Sequence, residues 1–185
     1  MRSRSAVVGA VTLLALAGCH SGGAKPDAES LPPVKLVEQP AASAGGACIL
    51  WDYDFIRQTI GVTFDVAAAD QVDDTSTCVV QTVQGDYPNL MLSVVDSTPA
   101  NAKQFLADLK PAKAATLKGL GQAGYRLTGG STADHGPSIE ISWLSEASQL
   151  QSLTFTFAKA PQLSQVTAMN TKLFALAKAM DTTNG

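Results

Sequence analysis

Apolar and polar positions alternate most clearly near the C-terminal end of the chain. Ile139, Ile141 and Trp143 alternate with Glu140 and Ser142, and Leu153, Phe155 and Phe157 alternate with Thr154 and Thr156. A period of two predicts two half-buried strands, each with one face to a core and one to water. The link through Glu146 and Ala147 is short, which predicts an antiparallel hairpin. Beyond Pro161 the period lengthens. Val166, Met169, Leu173, Leu176 and Met180 recur at spacings of three and four, the stripe of an amphipathic helix.

The same reading carries back through the chain. From Ala47, Ile49, Tyr53, Ile56 and Ile60 mark one helical stripe and Trp51, Phe55 and Val62 a second, with Gly61 as the stop. A helix apolar on two sides is expected between two layers. Phe64 to Thr77 carries Asp65, Asp70, Asp73 and Asp74 and reads as an acidic, irregular loop. It lacks the glycine and closing glutamate of an EF-hand, so a solvated loop is expected there rather than a calcium site. Cys78 to Val83 and Leu90 to Val95 are β-branched runs around the turn signal Gly85-Asp86, a second hairpin with Tyr87 and Pro88 at its bend. Thr98 and Pro99 then read as N-cap and first helical residue, Ala102, Phe105, Leu106 and Leu109 as the stripe, and Pro111 as the end. The resulting class is α+β: an antiparallel sheet of about four to six strands with helices packed on one face.

The N-terminal pattern is different in kind. Arg2 and Arg4 precede an apolar run from Ala6 to Ala17, about a dozen residues, which is too short for a spanning helix of about 20. It ends in Leu16-Ala17-Gly18-Cys19, small residues directly before a cysteine. That arrangement resembles a bacterial lipoprotein signal, in which the cysteine thiol takes a diacylglyceryl group and the freed amine is acylated, as by palmitate. Residues 1–18 are therefore expected to be cut away, leaving Cys19 as the lipidation site. Several acyl chains, at about 0.8 kcal/mol per buried methylene, anchor stably where one does not. Residues 19–46 read as a tether, rich in Ala and Ser, with Pro26, Pro32, Pro33, Pro40 and the Gly22-Gly23 and Gly45-Gly46 pairs. The globular domain is expected over 47–185. The predicted location is the extracytoplasmic face of the cell membrane.

Charge narrows the partners. The chain has a net charge of −3, and losing Arg2 and Arg4 makes the remainder more acidic. An acidic domain argues against nucleic acid and against electrostatic docking on anionic lipid, so membrane attachment rests on the lipid alone. With Cys19 lipidated, two of the three cysteines remain, Cys48 and Cys78. In an exported chain they read as a disulfide pair, against the alternatives of two buried thiols or a metal pair, which the lack of a nearby His makes poor.

Gly119-Leu120-Gly121-Gln122-Ala123-Gly124 matches the spacing of a dinucleotide-binding turn. That chemistry needs a strand before it and a helix after it. Here Tyr125 to Thr128 follows as a strand and a lysine-bearing helix or loop precedes, so a glycine-rich turn is expected and no cofactor. There is no Gly-x-Ser-x-Gly elbow. His135 lies beside Asp134 in a Gly-, Ser- and Asp-rich loop and has no oriented nucleophile in the sequence, and Glu140 and Glu146 both read as outward-facing.

Together the Leu-Ala-Gly-Cys box, the Pro/Ala tether, a Cys opening a helix that ends in Gly, a second Cys in the first strand and the turn Gly119 to Tyr125 carry a family likeness. Over roughly Ala47 to Met180 the chain resembles the actinobacterial, mycobacterial-type cell-envelope lipoproteins of unknown function. It departs from their habit in having Ile49-Leu50 after the first Cys and Gln122 in the turn. The resemblance implies an α+β domain with an antiparallel sheet and a Cys48–Cys78 disulfide, and no activity.

The expected function is a non-catalytic binding or accessory module for an envelope lipid, polysaccharide, protein or apolar small molecule. Trp51, Phe55, Tyr87 and Trp143 are its candidate ligand-binding residues. No catalytic residue, metal site or cofactor is expected. The alternatives are a structural protein–protein interaction module and, less favoured, a cell-wall or lipid hydrolase.

Overall fold

The computed structural model describes residues 39–96, 98, 100–159 and 161–184. The signal segment, Cys19, the tether as far as residue 38 and Pro99 lie outside the described residues. Seven strands form one antiparallel sheet: β1 (Val66–Val72), β2 (Thr75–Thr82), β3 (Gly85–Val95), β4 (Ala115–Leu117), β5 (Ala123–Thr128), β6 (Ser138–Leu144) and β7 (Leu150–Thr156). Their order across the sheet is β1-β2-β3-β7-β6-β5-β4. Helix α1 (Tyr53–Ile60) precedes the sheet, α2 (Ala102–Gln104) continues as a π-helical turn over Phe105–Leu109, and α3 (Leu163–Asn184) closes the chain.

The α+β class holds, with more strands than the four to six expected. The additions are the two edges. Val66 to Thr77 is not an irregular loop but most of a hairpin. Val72 pairs with Thr75 across a two-residue turn in which Asp73 takes φ 50°, a left-handed conformation that Asp tolerates. Ala67 and Ala69 pair with Val80 and Cys78 on the core side, while Asp70 faces outward. At the other edge, Ala115–Leu117 pairs with β5 where a helix or loop was expected.

Sheet register places Val80, Leu90, Leu92, Leu153, Phe155, Ile139 and Ile141 on one face, all fully or almost fully buried. That face is covered by Ile56 and Ile60 of α1 and by Val166, Met169, Leu173, Leu176 and Met180 of α3, the whole of the predicted stripe. Burying each such side chain contributes about 1.5–3 kcal/mol. Among the described residues, the second face has a buried cluster toward β4. There Phe105 of the π-helical turn packs with Ala114, Ala123, Tyr125 and Leu144. The rest of that face mixes Thr77, Ser93, Ser152 and Thr154 with half-buried Val79 and Met91.

The first helix is shorter than its two stripes predicted. The Asp52 carboxylate accepts a hydrogen bond from Phe55 N at 2.8 Å and starts α1 afresh. Gly46–Leu50 forms a separate 3-10 turn. Ile49 consequently stands 66% exposed instead of joining the buried stripe. Gly61 does end the helix, at φ 77°. Ala41–Ala44, within the span read as tether, is a 3-10 turn against β1 with Ala41 buried. Its Ala-Ala-Ser-Ala composition looks like a linker, yet Ala41 belongs to the core cluster. The helical start at Thr98 shifts to Asn101, whose side chain and that of Gln104 form a reciprocal capping box.

Cys48 and Cys78 are joined, their Cα atoms 4.9 Å apart. The disulfide ties the Gly46–Leu50 turn to β2, and both cysteines are fully buried.

Candidate functional site

A cleft of about 530 Å³ opens where the end of α1, the first half of α3 and the end of the β3/β7 pair meet. Ile60, Phe155 and Met169 form its floor and are buried from solvent; Val62 and Phe157 are half-buried above them. Phe155 and Phe157 meet edge to face, with ring centroids 4.8 Å apart. They share a side although β7 ends at Thr156, since Phe157 N–H continues the pairing onto Pro137 O. Met169 of α3 lines the cleft with them. The next turn carries Lys172, whose Nζ donates to Ile60 O at 3.1 Å. A cation at the C-terminal carbonyls of α1 is favoured by the helix dipole. Lys159, also in the lining, is exposed. The cleft can therefore take an apolar group, and both of its charged lining residues are cations.

The four aromatic residues singled out from sequence are not brought together, and none of them lines this cleft. Trp51 is 3% exposed and its Nε1 finds no hydrogen-bond partner among the described residues. Trp143 is fully buried and donates from Nε1 to Asp181 Oδ1 at 3.1 Å. Phe55 is partly exposed on α1. Tyr87 is half-buried, its ring 5.0 Å from that of His135. The cleft residues carry no special mark in sequence, because Phe155, Phe157 and Met169 all fit a core pattern.

The glycine-rich turn has a structural explanation. Gly121 takes φ 48° and its N–H donates to Asp181 Oδ2 at 2.9 Å. The same carboxylate holds Trp143, so one acidic residue of α3 clasps the turn and the sheet together. Strand β5 follows the turn and no helix begins there, so no phosphate-binding N-terminus is created.

His135 Nδ1 lies 2.6 Å from Gly136 O, and the backbone N–H groups of Asp134 and His135 are held by Thr132 Oγ1. No group of three or more His, Cys, Asp or Glu among the described residues could hold a metal ion. Glu140 instead anchors a polar chain beside the Phe105 cluster on the second sheet face. Tyr125 donates to its Oε1 at 2.8 Å. Ser142 Oγ lies 3.0 Å from the same oxygen and 2.8 Å from Ser152 Oγ. Burial is the main cause that raises the Tyr125 phenol above its ordinary value of 10.0; the Ser142 hydrogen bond opposes it, and the Glu140 hydrogen bond and charge reinforce it. The unfolded phenol ionises near its ordinary value while the folded one keeps its proton to higher pH. The stability so gained is complete below about pH 10 and is lost as pH rises through the raised value. Urea titrations below and above this pH should show a fall in stability that Tyr125→Phe reduces. An equal fall in the variant would assign it to other groups.

Among the described residues no helix is long and apolar enough to cross a membrane. No family model, no curated protein and no solved structure matches the chain.

Proposed function

We propose that the chain is a lipid-anchored, non-catalytic binding module on the extracytoplasmic face of the cell membrane, whose cleft receives the apolar part of an envelope molecule. The cleft between α1, α3 and the β3/β7 end carries this reading, being concave, predominantly apolar and of the size small-molecule sites have, about 300–1,000 Å³. The Leu16-Ala17-Gly18-Cys19 box and the likeness to mycobacterial-type envelope lipoproteins support the anchor. The buried Cys48–Cys78 bond fits an oxidising compartment.

The test is titration of the full chain, carrying Cys19→Ser so that no acyl group of its own competes, with n-dodecanol. Saturable binding is expected. Ala168→Trp, on the exposed side of α3 where it borders the cleft, should fill the space and weaken binding at least about ten-fold, or about 1.4 kcal/mol, while circular dichroism shows the fold intact. Undetectable dodecanol binding, or binding indifferent to the tryptophan, removes the cleft as the site.

A protein-docking role is the second reading, and one observation favours it. β1 is an edge strand, with Val66 and Val72 exposed along it and Ile49 exposed on the neighbouring 3-10 turn. A second strand could add there.

A further inference from the structure

We propose that the cleft selects an amphiphile with an anionic headgroup, an inference that rests on the cleft being the binding site. Two lysines supply the reason. Lys172 is positioned by its hydrogen bond to Ile60 O, which uses one of its three N–H donors and leaves the others for a ligand. Lys159 forms no ion pair or hydrogen bond with a described residue and is exposed beside Ala158 and Pro161. No carboxylate is found among the described residues that line the cleft.

This local excess of positive charge runs against the whole chain, whose net charge is −3. An acidic domain is not drawn to an anionic bilayer surface as a body. It can still take one anionic molecule in a cleft whose lining holds two lysines together with apolar Phe155, Phe157 and Met169. Asp86 and Asp134 line a second hollow that shares Ala158 and Lys159 with the cleft. They disfavour an anion in that hollow and leave the cleft as the favourable place. The alkyl chain is then taken by the apolar lining and the anionic head by the lysines. A neutral head gains nothing from them and a cationic head is repelled.

The same Cys19→Ser chain is titrated with dodecanoate, dodecyl phosphate and n-dodecanol, which share a tail and differ in head. One or both anionic ligands should bind about five- to ten-fold more tightly than the alcohol, the range that two partly solvated charge contacts give. Which of the two binds more tightly tells a fatty-acid carboxylate from a phosphorylated lipid. The K159Q/K172Q variant should lose this preference, its three affinities falling together. Equal affinity for all three ligands, or a preference that survives K159Q/K172Q, overturns the charge inference while the cleft stands as an apolar site. Failure of all three to bind overturns the cleft reading itself, and the charge inference with it.

Discussion

Gly121→Ala is expected to destabilise the domain by about 3 kcal/mol or more, the sum of a left-handed backbone penalty and overpacking against fixed atoms. Gly121 has φ 48°, and a Cβ placed there is driven into the backbone carbonyl of Leu144. No flexible side chain can move aside, because the obstacle is the end of β6. The neighbouring Gln122 N–H donates to that same Leu144 carbonyl, and Gly121 N–H donates to Asp181. Any shift of the turn therefore disturbs β5, β6 and α3 at once. Gly119 is the control. It has φ 74° but open space where a Cβ would go. Gly119→Ala should cost only the backbone term, about 1–2 kcal/mol. Urea denaturation of both variants checks the contrast. Equal, small losses would show that the turn is not clamped.

Breaking the Cys48–Cys78 bond is expected to cost about 3–4 kcal/mol, the chain-entropy value for a loop of this length. The two cysteines are 30 residues apart in sequence, and the loop they close contains α1, β1 and the start of β2. Small domains are stable by only about 5–15 kcal/mol in total, so this is a large share. The urea midpoint should fall markedly in reductant and in Cys48→Ser/Cys78→Ser, by the same amount in each. A midpoint unmoved by verified reduction would show that native packing alone holds the 3-10 turn on β2.

What could be read in the sequence and what could not divides along physical lines. The β6/β7 pair and α3 were legible because large apolar residues keep strict period across them. Strand β1 was not, because Ala67, Ala68 and Ala69 give no contrast between its faces and four aspartates lie in or beside it. The long first helix was an over-extension: two stripes were visible, but Asp52, an N-cap three residues before Phe55, divides them. Asn101 and Gln104 likewise spell a capping box that Thr98 and Pro99 obscured. The candidate site was the least legible part. Its residues come from three distant segments, around Ile60, Phe155 and Met169, and each alone reads as core. Only their packing shows that the three surfaces do not quite close. Trp51 and Trp143 drew attention by size, and that same size makes them core residues here, 3% and 0% exposed.

Every step from location to ligand depends on where the chain ends its biosynthesis. Intact-mass analysis of protein extracted from membranes tests that directly. The account predicts a chain beginning at Cys19, without residues 1–18, and heavier than its polypeptide by the diacylglyceryl and acyl groups on Cys19. A chain that retains those residues, or one that carries no acyl mass, would contradict it.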